Sequence, residues 1–270
     1  MCRVLEVSVS GYHSWRRRPI SHRKQQDALL QQRIQDVHHR SKQRYGAPRI
    51  HAELRAEGLR VSRKRIARLM RSGDLRAKGK RRWVRTTDSN HSLPVCPNLL
   101  DRQFEVQQPN QVWASDLTYL PTKEGWLYLA VTLDLHSRAV VDYAMDAHMP
   151  ATLPLAALQM AAGRRLPPPG LLHHSDRGSQ YASRVFQDQL ARLGARGSMS
   201  RKGNCWDNAV VESFFSSLKR ELFEETIFES RAAARHAVFE FIEVFYNRQR
   251  RHSTLGYLTP LEFERQATAA

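Results

Sequence analysis

The chain has 270 residues, with 43 Lys and Arg against 26 Asp and Glu, and therefore a formal net charge of +17. Hydrophobic residues make up 41% of it, which excludes a disordered basic tail, and no run approaches the roughly 20 apolar residues of a membrane span. Three widely spaced cysteines, Cys2, Cys96 and Cys205, exclude a disulfide scaffold, and no apolar signal segment is visible. These features predict a cytoplasmic protein whose partner is a large polyanion, most simply nucleic acid.

The positive charge is confined to the first part of the chain. Residues 1–100 contain 24 Lys and Arg against 7 Asp and Glu, whereas residues 101–270 contain 19 of each kind. This asymmetry predicts a basic module that attaches the chain to its partner, followed by a domain of a different kind.

The basic part has the start and stop signals of three short helices. Apolar residues recur at helical spacing over 26–41, and Pro48 is placed to begin a second helix that stops at Gly58. Ser62 is placed to cap a third helix over 63–71. We therefore predict an all-α helix-turn-helix module over about 26–73, within a basic DNA-binding region 1–82.

The third of these helices carries a basic face beside its apolar one. Residues near the start of such a helix contact base edges or phosphates in helix-turn-helix proteins, and a solvated basic surface is the alternative. The side chains predicted to bind DNA are Arg63, Lys64, Arg65 and Arg68. A polar stretch with two prolines follows, and we predict a linker over 83–108.

From residue 109 the pattern of apolar residues changes to that of a mixed α/β domain, which we predict over 109–270. Three apolar, β-rich runs separated by short breaks indicate an antiparallel meander. A helix, a short buried strand, a helix, another strand and two helices follow. The predicted strands cover 111–120, 125–137, 138–145, 171–176 and 195–200, and the predicted helices cover 150–162, 183–193, 208–223 and 229–249.

Three carboxylates occur where surface charge does not explain them. Asp116 lies inside the first apolar run, Asp176 ends the fourth strand, and Glu212 lies on the helix that follows the fifth. A charge inside a buried strand is costly unless it is paired or bound to a cation. Carboxylates are the ligands that Mg²⁺ prefers, and two metal ions can activate the attacking oxygen and stabilise the leaving oxygen of a phosphodiester. Their order along the chain, with 59 residues between the first two carboxylates and 35 between the last two, predicts a catalytic triad.

These motifs together resemble a known family. The chain is similar to the second-frame transposases of bacterial insertion sequences of the IS-three family, which are DDE recombinases with an RNase H-like integrase core. The resemblance runs from about residue 44 to 262 in the family's order. It is carried by RYGAPRIHAEL, VSRKRIARLM, PNQVWASDLTYLPT, GWLYLAVTLDLHSRAVV, HHSDRGSQYAS, SMSRKGNCWDNAVVESFFSSLKREL and YNRQRRHSTLGYLTP.

The resemblance implies a fold, a cofactor and partners. It implies a mixed five-stranded sheet with Asp116, Asp176 and Glu212 binding two Mg²⁺ ions, for which Mn²⁺ can substitute. Lys219 would contact the transposon end, and Asn208 would lie beside the active site and bind DNA. The chain shows no sustained heptads, so it is expected to be the second-frame product, with a partner protein from an upstream frame. It would act on double-stranded DNA as a homo-oligomer, associated with the bacterial nucleoid.

Several other residues have a functional and a structural interpretation. Asp134 lies in an apolar strand, where orienting a neighbour is favoured over binding metal, and packing is favoured for His173 and His174. A zinc site using His38, His39 and Cys96 is rejected because the chain has no paired cysteine. Trp206 is either a core aromatic or a residue that stacks on a base. Two roles, DNA binding and fixing the C-terminal segment, remain open for Tyr246, Asn247, Arg250 and His252.

The sequence therefore predicts a transposase that cleaves and joins insertion-sequence ends, with two alternatives. A DNA-binding regulator with an inert α/β domain would bind DNA without metal and cleave nothing. A structure-selective RNase H-like nuclease would use the same metals but would give no joined products.

Overall fold

The computed structural model describes residues 2–77, 93–202, 204–223 and 227–269. The chain divides into an N-terminal unit, Met1–Lys78, and a C-terminal unit, Gly79–Ala270. Within the described ranges no helix is both long enough and apolar enough to cross a membrane.

The N-terminal unit is all helical, as predicted. Its helices are α1 (Val9–Arg17), α2 (His22–Arg40), α3 (Ala47–Ala56) and α4 (Arg63–Ser72). Ser62 caps α4 by accepting the Arg65 backbone N–H at 3.3 Å, and a proline in the first turn of α3 supplies a dihedral angle suited to a helix start. The core between α2, α3 and α4 contains Ile34, Ile50 and Ile66, each fully buried.

The C-terminal unit is built on a five-stranded mixed sheet, which confirms the predicted fold class. The strands are β1 (Val112–Thr122), β2 (Gly125–Asp134), β3 (Val140–Asp146), β4 (Leu172–Ser175) and β5 (Arg196–Met199). Their spatial order is β3-β2-β1-β4-β5, with an antiparallel meander over the first three strands and β4 and β5 parallel to β1. The central strand β1 therefore lies between the meander and the parallel pair.

Helices cover this sheet and complete the core. They are α5 (Thr152–Arg165), α6 (Ser179–Ala182), α7 (Arg184–Arg192), α8 (Ala209–Leu222), α9 (Arg231–Phe239) and α10 (Pro260–Ala269). Trp113, Leu158, Tyr181 and Phe186 form one buried apolar cluster between β1 and helices α5 to α7. Two of the helices, α6 and α10, were not predicted, and the predicted helix over 229–249 changes at Glu240–Tyr246 into a π-helix.

The predicted linker, 83–108, is only partly described, because its residues 83–92 lie outside the described ranges. Its second half packs on the C-terminal unit. Leu100 is buried, and the backbone N–H groups of Leu99 and Leu100 donate to Ser198 Oγ at 2.9 and 3.2 Å. The described part of this segment is therefore packed against β5 as part of the folded domain.

Candidate active site

The strand register brings the first two predicted carboxylates side by side. The parallel ladder pairs Val112 with Leu172 and Ala114 with His174, an offset of 60 residues. The same offset places Asp116 on β1 beside Asp176, which directly follows β4. Neighbouring strands lie about 4.8 Å apart, so residues at one level of the ladder are close neighbours. The interval between these aspartates in the sequence is thus the register of the β1–β4 pair.

The turn after β4 fixes the second aspartate. Asp176 Oδ1 accepts the Gly178 backbone N–H at 2.9 Å. A Cβ atom on Gly178 would lie 3.0 Å from the same oxygen, closer than such atoms normally approach. A larger residue at this position would therefore require the Asp176 carboxylate to shift.

Helix α8 brings the third carboxylate to the same edge. Glu212 lies in the first turn of α8 and is exposed. Asn208, one turn earlier, is 4% exposed, and its side-chain amide donates to the Ser115 carbonyl at 3.3 Å. Its Oδ1 atom is buried and has no hydrogen-bond partner within the described residues. Asn208 thus ties the start of the Glu212 helix to the residue that precedes Asp116.

The electrostatics show that the three carboxylates share one environment. Asp116 is half-buried, and its pKa is raised well above the usual range, first by burial and then by the negative charges of Asp176 and Glu212. A hydrogen bond from the Leu117 backbone N–H at 2.8 Å and the charge of Lys219 oppose this rise. Like charges that raise a neighbour's pKa mark a place where a cation would be stabilised.

The donor set fits a hard divalent cation in charge and chemistry. Asp116, Asp176 and Glu212 offer carboxylate oxygens only, which suit Mg²⁺ or Mn²⁺ better than a soft metal. In the part of the chain that the structure describes, no three His, Cys, Asp or Glu side chains are grouped closely enough to hold a metal ion as they stand. The three carboxylates therefore suit a divalent cation by their donor type and their negative charge. Among the described residues they are not already arranged at the distances of metal ligands.

Lys219 lies near Asp116 and is buried. It is 7% exposed, and its Nζ lies 4.8 Å from the centre of the Tyr119 ring. Burial lowers its pKa, while the charge of Asp116 raises it. Lys219 is therefore near the first carboxylate, and its contact with the transposon end stays a prediction.

The loop before α8 is anchored by Asp207, which is fully buried. Its carboxylate accepts hydrogen bonds from Arg201 Nε and Nη2 at 2.9 and 2.8 Å, from Arg102 Nε at 2.9 Å and from Asn98 Nδ2 at 3.1 Å. The Arg201 guanidinium is the main cause that lowers the pKa of Asp207. The family resemblance implies that the loop from Arg201 to Asp207 lies beside the active site, but the pattern gives no sign that Asp207 is the buried anchor of that loop.

Asp134, the fully buried residue at the end of β2, has a structural role. Its carboxylate accepts backbone N–H groups of Asn110, His136 and Ser137 at 2.6, 2.8 and 3.2 Å, which holds the turn between β2 and β3. Burial raises its pKa, and these hydrogen bonds oppose the rise. Asp134 therefore orients its neighbours, as the sequence analysis favoured.

Both histidines of β4 are packed and neutral. His173 Nε2 lies 2.8 Å from Ser115 Oγ, and burial lowers its pKa to about 3. His174 lies between Ser198 Oγ at 2.9 Å and Ser200 Oγ at 3.1 Å, and burial lowers its pKa to about 4. Each ring is engaged with serine hydroxyls of a neighbouring strand or loop, in agreement with the packing role.

A tyrosine next to the carboxylates was missed by the sequence analysis. Tyr181 is buried, and its hydroxyl has no hydrogen-bond partner in the described residues. Its pKa is raised well above the usual range, first by burial and then by the charges of Asp116 and Asp176. The available signal was its position five residues after Asp176, at a helix start, but an aromatic residue there is usually core.

The C-terminal polar cluster fixes the last segment of the chain. Asn247 donates to the Val140 carbonyl at 2.9 Å and accepts its N–H at 3.0 Å. Arg250 donates through Nη2 to Glu221 Oε1 at 2.9 Å and to Ser217 Oγ at 2.9 Å. The rings of Tyr246 and His252 meet edge to face, and the four residues are buried: Tyr246, Asn247, Arg250 and His252. The structural interpretation of this cluster therefore holds.

The predicted DNA-binding side chains of α4 separate into two pairs. Arg65 Nε and Arg68 Nη2 each contact the carboxylate of Asp27 on α2, at 2.7 and 2.6 Å. Arg63 and Lys64 are exposed at the start of α4. Internal ion pairing is therefore one role of Arg65 and Arg68, and DNA contact by these four residues stays a prediction.

Comparisons with known proteins place the chain in a family. Models described as an integrase core domain match residues 106–205 and 193–260, and an HTH-like domain matches residues 24–83. The chain is 49% identical over 271 residues to the transposase InsF of insertion sequence IS3A from Escherichia coli strain K12, covering 100% of this chain and 94% of that one. It belongs to the IS3 family of insertion-sequence transposases. A 31 kDa protein of insertion element IS600 from Shigella sonnei is also 49% identical, over 97% of both chains.

The solved structures agree on the fold. The chain of this transposase is similar to one in a simian T-cell lymphotropic virus intasome bound to the PP2A regulatory subunit B56 gamma, with a TM-score of 0.50 and 16% identity. The match covers 86% of the transposase and 74% of the viral chain. Family and fold together confirm the predicted activity class, that of a DNA transposase with an integrase catalytic core.

Proposed function

We propose that this transposase cleaves the ends of its own insertion sequence and joins the freed 3′-hydroxyl to a second phosphodiester, at Asp116, Asp176 and Glu212. The observation that carries the proposal is the shared electrostatic environment of these carboxylates, in which Asp176 and Glu212 oppose the ionisation of Asp116. Water attacks the phosphodiester at the element's end and displaces the 3′-oxygen, which leaves as the free 3′-hydroxyl. This hydroxyl then attacks a second phosphodiester, forming a new P–O bond and displacing that strand's 3′-oxygen as another 3′-hydroxyl. No covalent protein intermediate is required.

The side chains would hold two Mg²⁺ ions, or Mn²⁺ in their place. Bound there, these ions supply the positive charge that activates an attacking oxygen and stabilises a leaving one. Asp116 must lose its proton to act as a ligand, so its raised pKa makes binding depend on pH. Asn208 holds the Glu212 helix against β1 through its hydrogen bond to the Ser115 carbonyl, and this keeps the third carboxylate at the site.

The N-terminal unit would bind double-stranded DNA through Arg63, Lys64, Arg65 and Arg68 of α4, and Lys219 and Asn208 would act at the DNA end. The exposure of Arg63 and Lys64 supports this role for them. The active form would be a homo-oligomer on DNA, because two ends must be held together before they are joined. A protein from an upstream frame is its proposed partner.

The test compares wild-type protein with the Asp116→Asn, Asp176→Asn and Glu212→Gln variants on oligonucleotides that carry the terminal inverted repeats flanking the gene. Each variant should lose Mg²⁺- or Mn²⁺-dependent 3′-end cleavage and joining by roughly a thousand-fold or more, a barrier increase of about 4 kcal/mol. DNA binding in a gel-shift assay should persist. The exposed Asp188→Asn change on α7 is the matched control and should keep full activity.

The products distinguish the alternatives. Cleaved DNA with joined strands identifies a transposase, whereas cleavage without joining identifies a nuclease. A wild-type protein that binds DNA and cleaves none with either metal would be a regulator. Full activity of the Asp116→Asn or Glu212→Gln protein would show that the triad is assigned wrongly.

A further inference from the structure

One large aromatic side chain of the C-terminal unit is exposed beside the carboxylate site. Trp206 is 69% exposed, although the next two residues, Asp207 and Asn208, are 0% and 4% exposed. Tryptophan is highly buried on average, as Trp113 is in the core of the same unit. The Trp206 indole therefore remains in solvent directly before two buried residues and is accessible to a ligand.

The backbone of Trp206 and the residue after it make hydrogen bonds within the loop. The Trp206 N–H donates to Asn204 Oδ1 at 3.2 Å. The following carboxylate, that of Asp207, is held by Arg201 through both its backbone N–H and its guanidinium, and by Arg102. An aromatic side chain on an anchored segment loses little conformational freedom when it binds, because the ordering has already occurred in folding.

Trp206 also lies close in the chain to residues of the carboxylate site. It precedes α8 by three residues, and Glu212 lies in the first turn of that helix. Asn208, two residues on, is hydrogen-bonded to β1 next to Asp116. The guanidinium groups of Arg102 and Arg201, each about half exposed, pair with the carboxylate of Asp207, the residue that follows Trp206. An exposed aromatic ring is the kind of side chain on which unpaired bases stack, whatever their sequence.

We propose that the Trp206 indole stacks on a nucleobase that is unpaired and turned out of the helix where DNA enters the carboxylate site. The ligand is an unpaired base of any identity, because every base offers a π-face to an indole. The stacked base would hold the adjoining phosphodiester at the carboxylates and keep the end from re-pairing. The proposal rests on the proposed function, since it requires a DNA end at Asp116, Asp176 and Glu212.

The test uses full-length protein, without divalent metal, and two short DNA duplexes. One duplex ends in a single unpaired 2-aminopurine, and the other is fully paired with 2-aminopurine at the same position. Stacking on the indole should quench the fluorescence of the unpaired probe. The Trp206→Ala variant should lose this quenching and bind the unpaired probe about ten-fold more weakly, with unchanged affinity for the paired duplex. Trp206→Phe should keep most of the quenching because it keeps a ring.

Two controls separate stacking from other effects. Trp126 is also exposed, at 48%, in the hairpin between β1 and β2, and Trp126→Ala should quench like the wild type. Thermal unfolding of Trp206→Ala should match the wild type, because the side chain it removes is mostly in solvent.

The outcomes are distinct. Equal quenching by Trp206→Ala and wild type overturns the proposal, and so does an equal loss of affinity for the paired and the unpaired duplex. A wild-type protein that quenches the probe but cuts no DNA with Mg²⁺ or Mn²⁺ supports the stacking site and counts against the proposed function alone. Cleavage by the wild type without quenching leaves the function standing and removes the stacking site.

Discussion

At the scale of single residues, Asp116 is a charge that the folded chain holds at a cost. Its pKa is raised by burial and by Asp176 and Glu212, so the folded state binds a proton more tightly than the unfolded state does. Stability therefore falls as the pH rises from the ordinary Asp pKa of about 3.9 through the raised value. A cation at the site removes this cost, because it favours the ionised form.

This cost gives a test on stability. In EDTA at neutral pH, Asp116→Asn should raise the Tm, because it removes the cost of ionising a buried carboxylate. The rise should be about 2–4 °C for each kcal/mol by which the free energy of unfolding increases. The difference should vanish below the ordinary Asp pKa, where wild-type Asp116 is protonated in both states. Differential scanning fluorimetry across pH measures both effects, with Asp188→Asn as the control.

Addition of Mg²⁺ should reverse the order of the two Tm values, so that wild type becomes more stable than Asp116→Asn. Wild type should gain Tm with increasing Mg²⁺, because a ligand that binds only the folded state stabilises it by mass action, and Asp116→Asn should gain little. Equal gains for the two proteins would place the cation elsewhere.

At the scale of elements, α8 is held at both of its ends. Asn208 ties its start to β1, and Arg250 ties its last turn to the C-terminal segment through Glu221 and Ser217. Arg250 and Glu221 are both buried, and the Arg250 guanidinium, at 2.9 Å, is closer to the Glu221 carboxylate than that of Arg220, at 3.4 Å. A buried charge needs such compensation. The helix that carries Glu212 is thus positioned by polar contacts in addition to its apolar stripe.

Removing one partner of this pair should be severe. Arg250→Ala leaves the buried Glu221 carboxylate with only the more distant Arg220 guanidinium, and we expect a loss of about 3 kcal/mol in the free energy of unfolding. Arg248 is exposed two residues earlier, so Arg248→Ala should stay within roughly 0.5 kcal/mol of wild type. Urea unfolding followed by circular dichroism compares the two variants. A similar small loss for both would mean that the pair is not compensating buried charge.

At the scale of the whole molecule, attraction to DNA and chemistry belong to different parts of the chain. The net charge of +17 is already reached by residue 100, and residues 101–270 are neutral by formal count. Phosphate contacts release counterions, so binding by the basic part should weaken steeply with salt. We propose that the neutral part meets DNA at its carboxylates, where a metal ion would supply the positive charge.

The exposed residues at the start of α4 should set part of the salt dependence. The double variant Arg63→Ala and Lys64→Ala should reduce the slope of log affinity against log salt by about 2, if each side chain contacts one phosphate. Arg40 is the matched control, because its guanidinium already contacts Glu57 at 2.7 Å. Fluorescence anisotropy with a labelled duplex at several salt concentrations measures the slopes. An unchanged slope in the double variant would exclude these two side chains from the phosphate contacts.

Much of this molecule could be predicted from its sequence. Apolar periodicity, Pro48 and Ser62 predicted the three helices of the basic module, since helix starts depend on local chemistry. The alternation and order of apolar runs predicted the five strands. The carboxylates Asp116, Asp176 and Glu212 were predicted from their burial context, order and spacing, and the register of β1 against β4 agrees with that spacing.

The tertiary structure decided which polar side chains are covered, and by what. Lys219 is buried against Tyr119, Arg65 and Arg68 share Asp27, and Arg250 pairs with Glu221, although each has the pattern of a DNA-binding residue. Trp206 has the pattern of a core residue and is exposed. The physical reason is that periodicity and spacing encode a residue's own element and face. Exposure depends on which distant element packs there, and that contact is formed only in the folded chain.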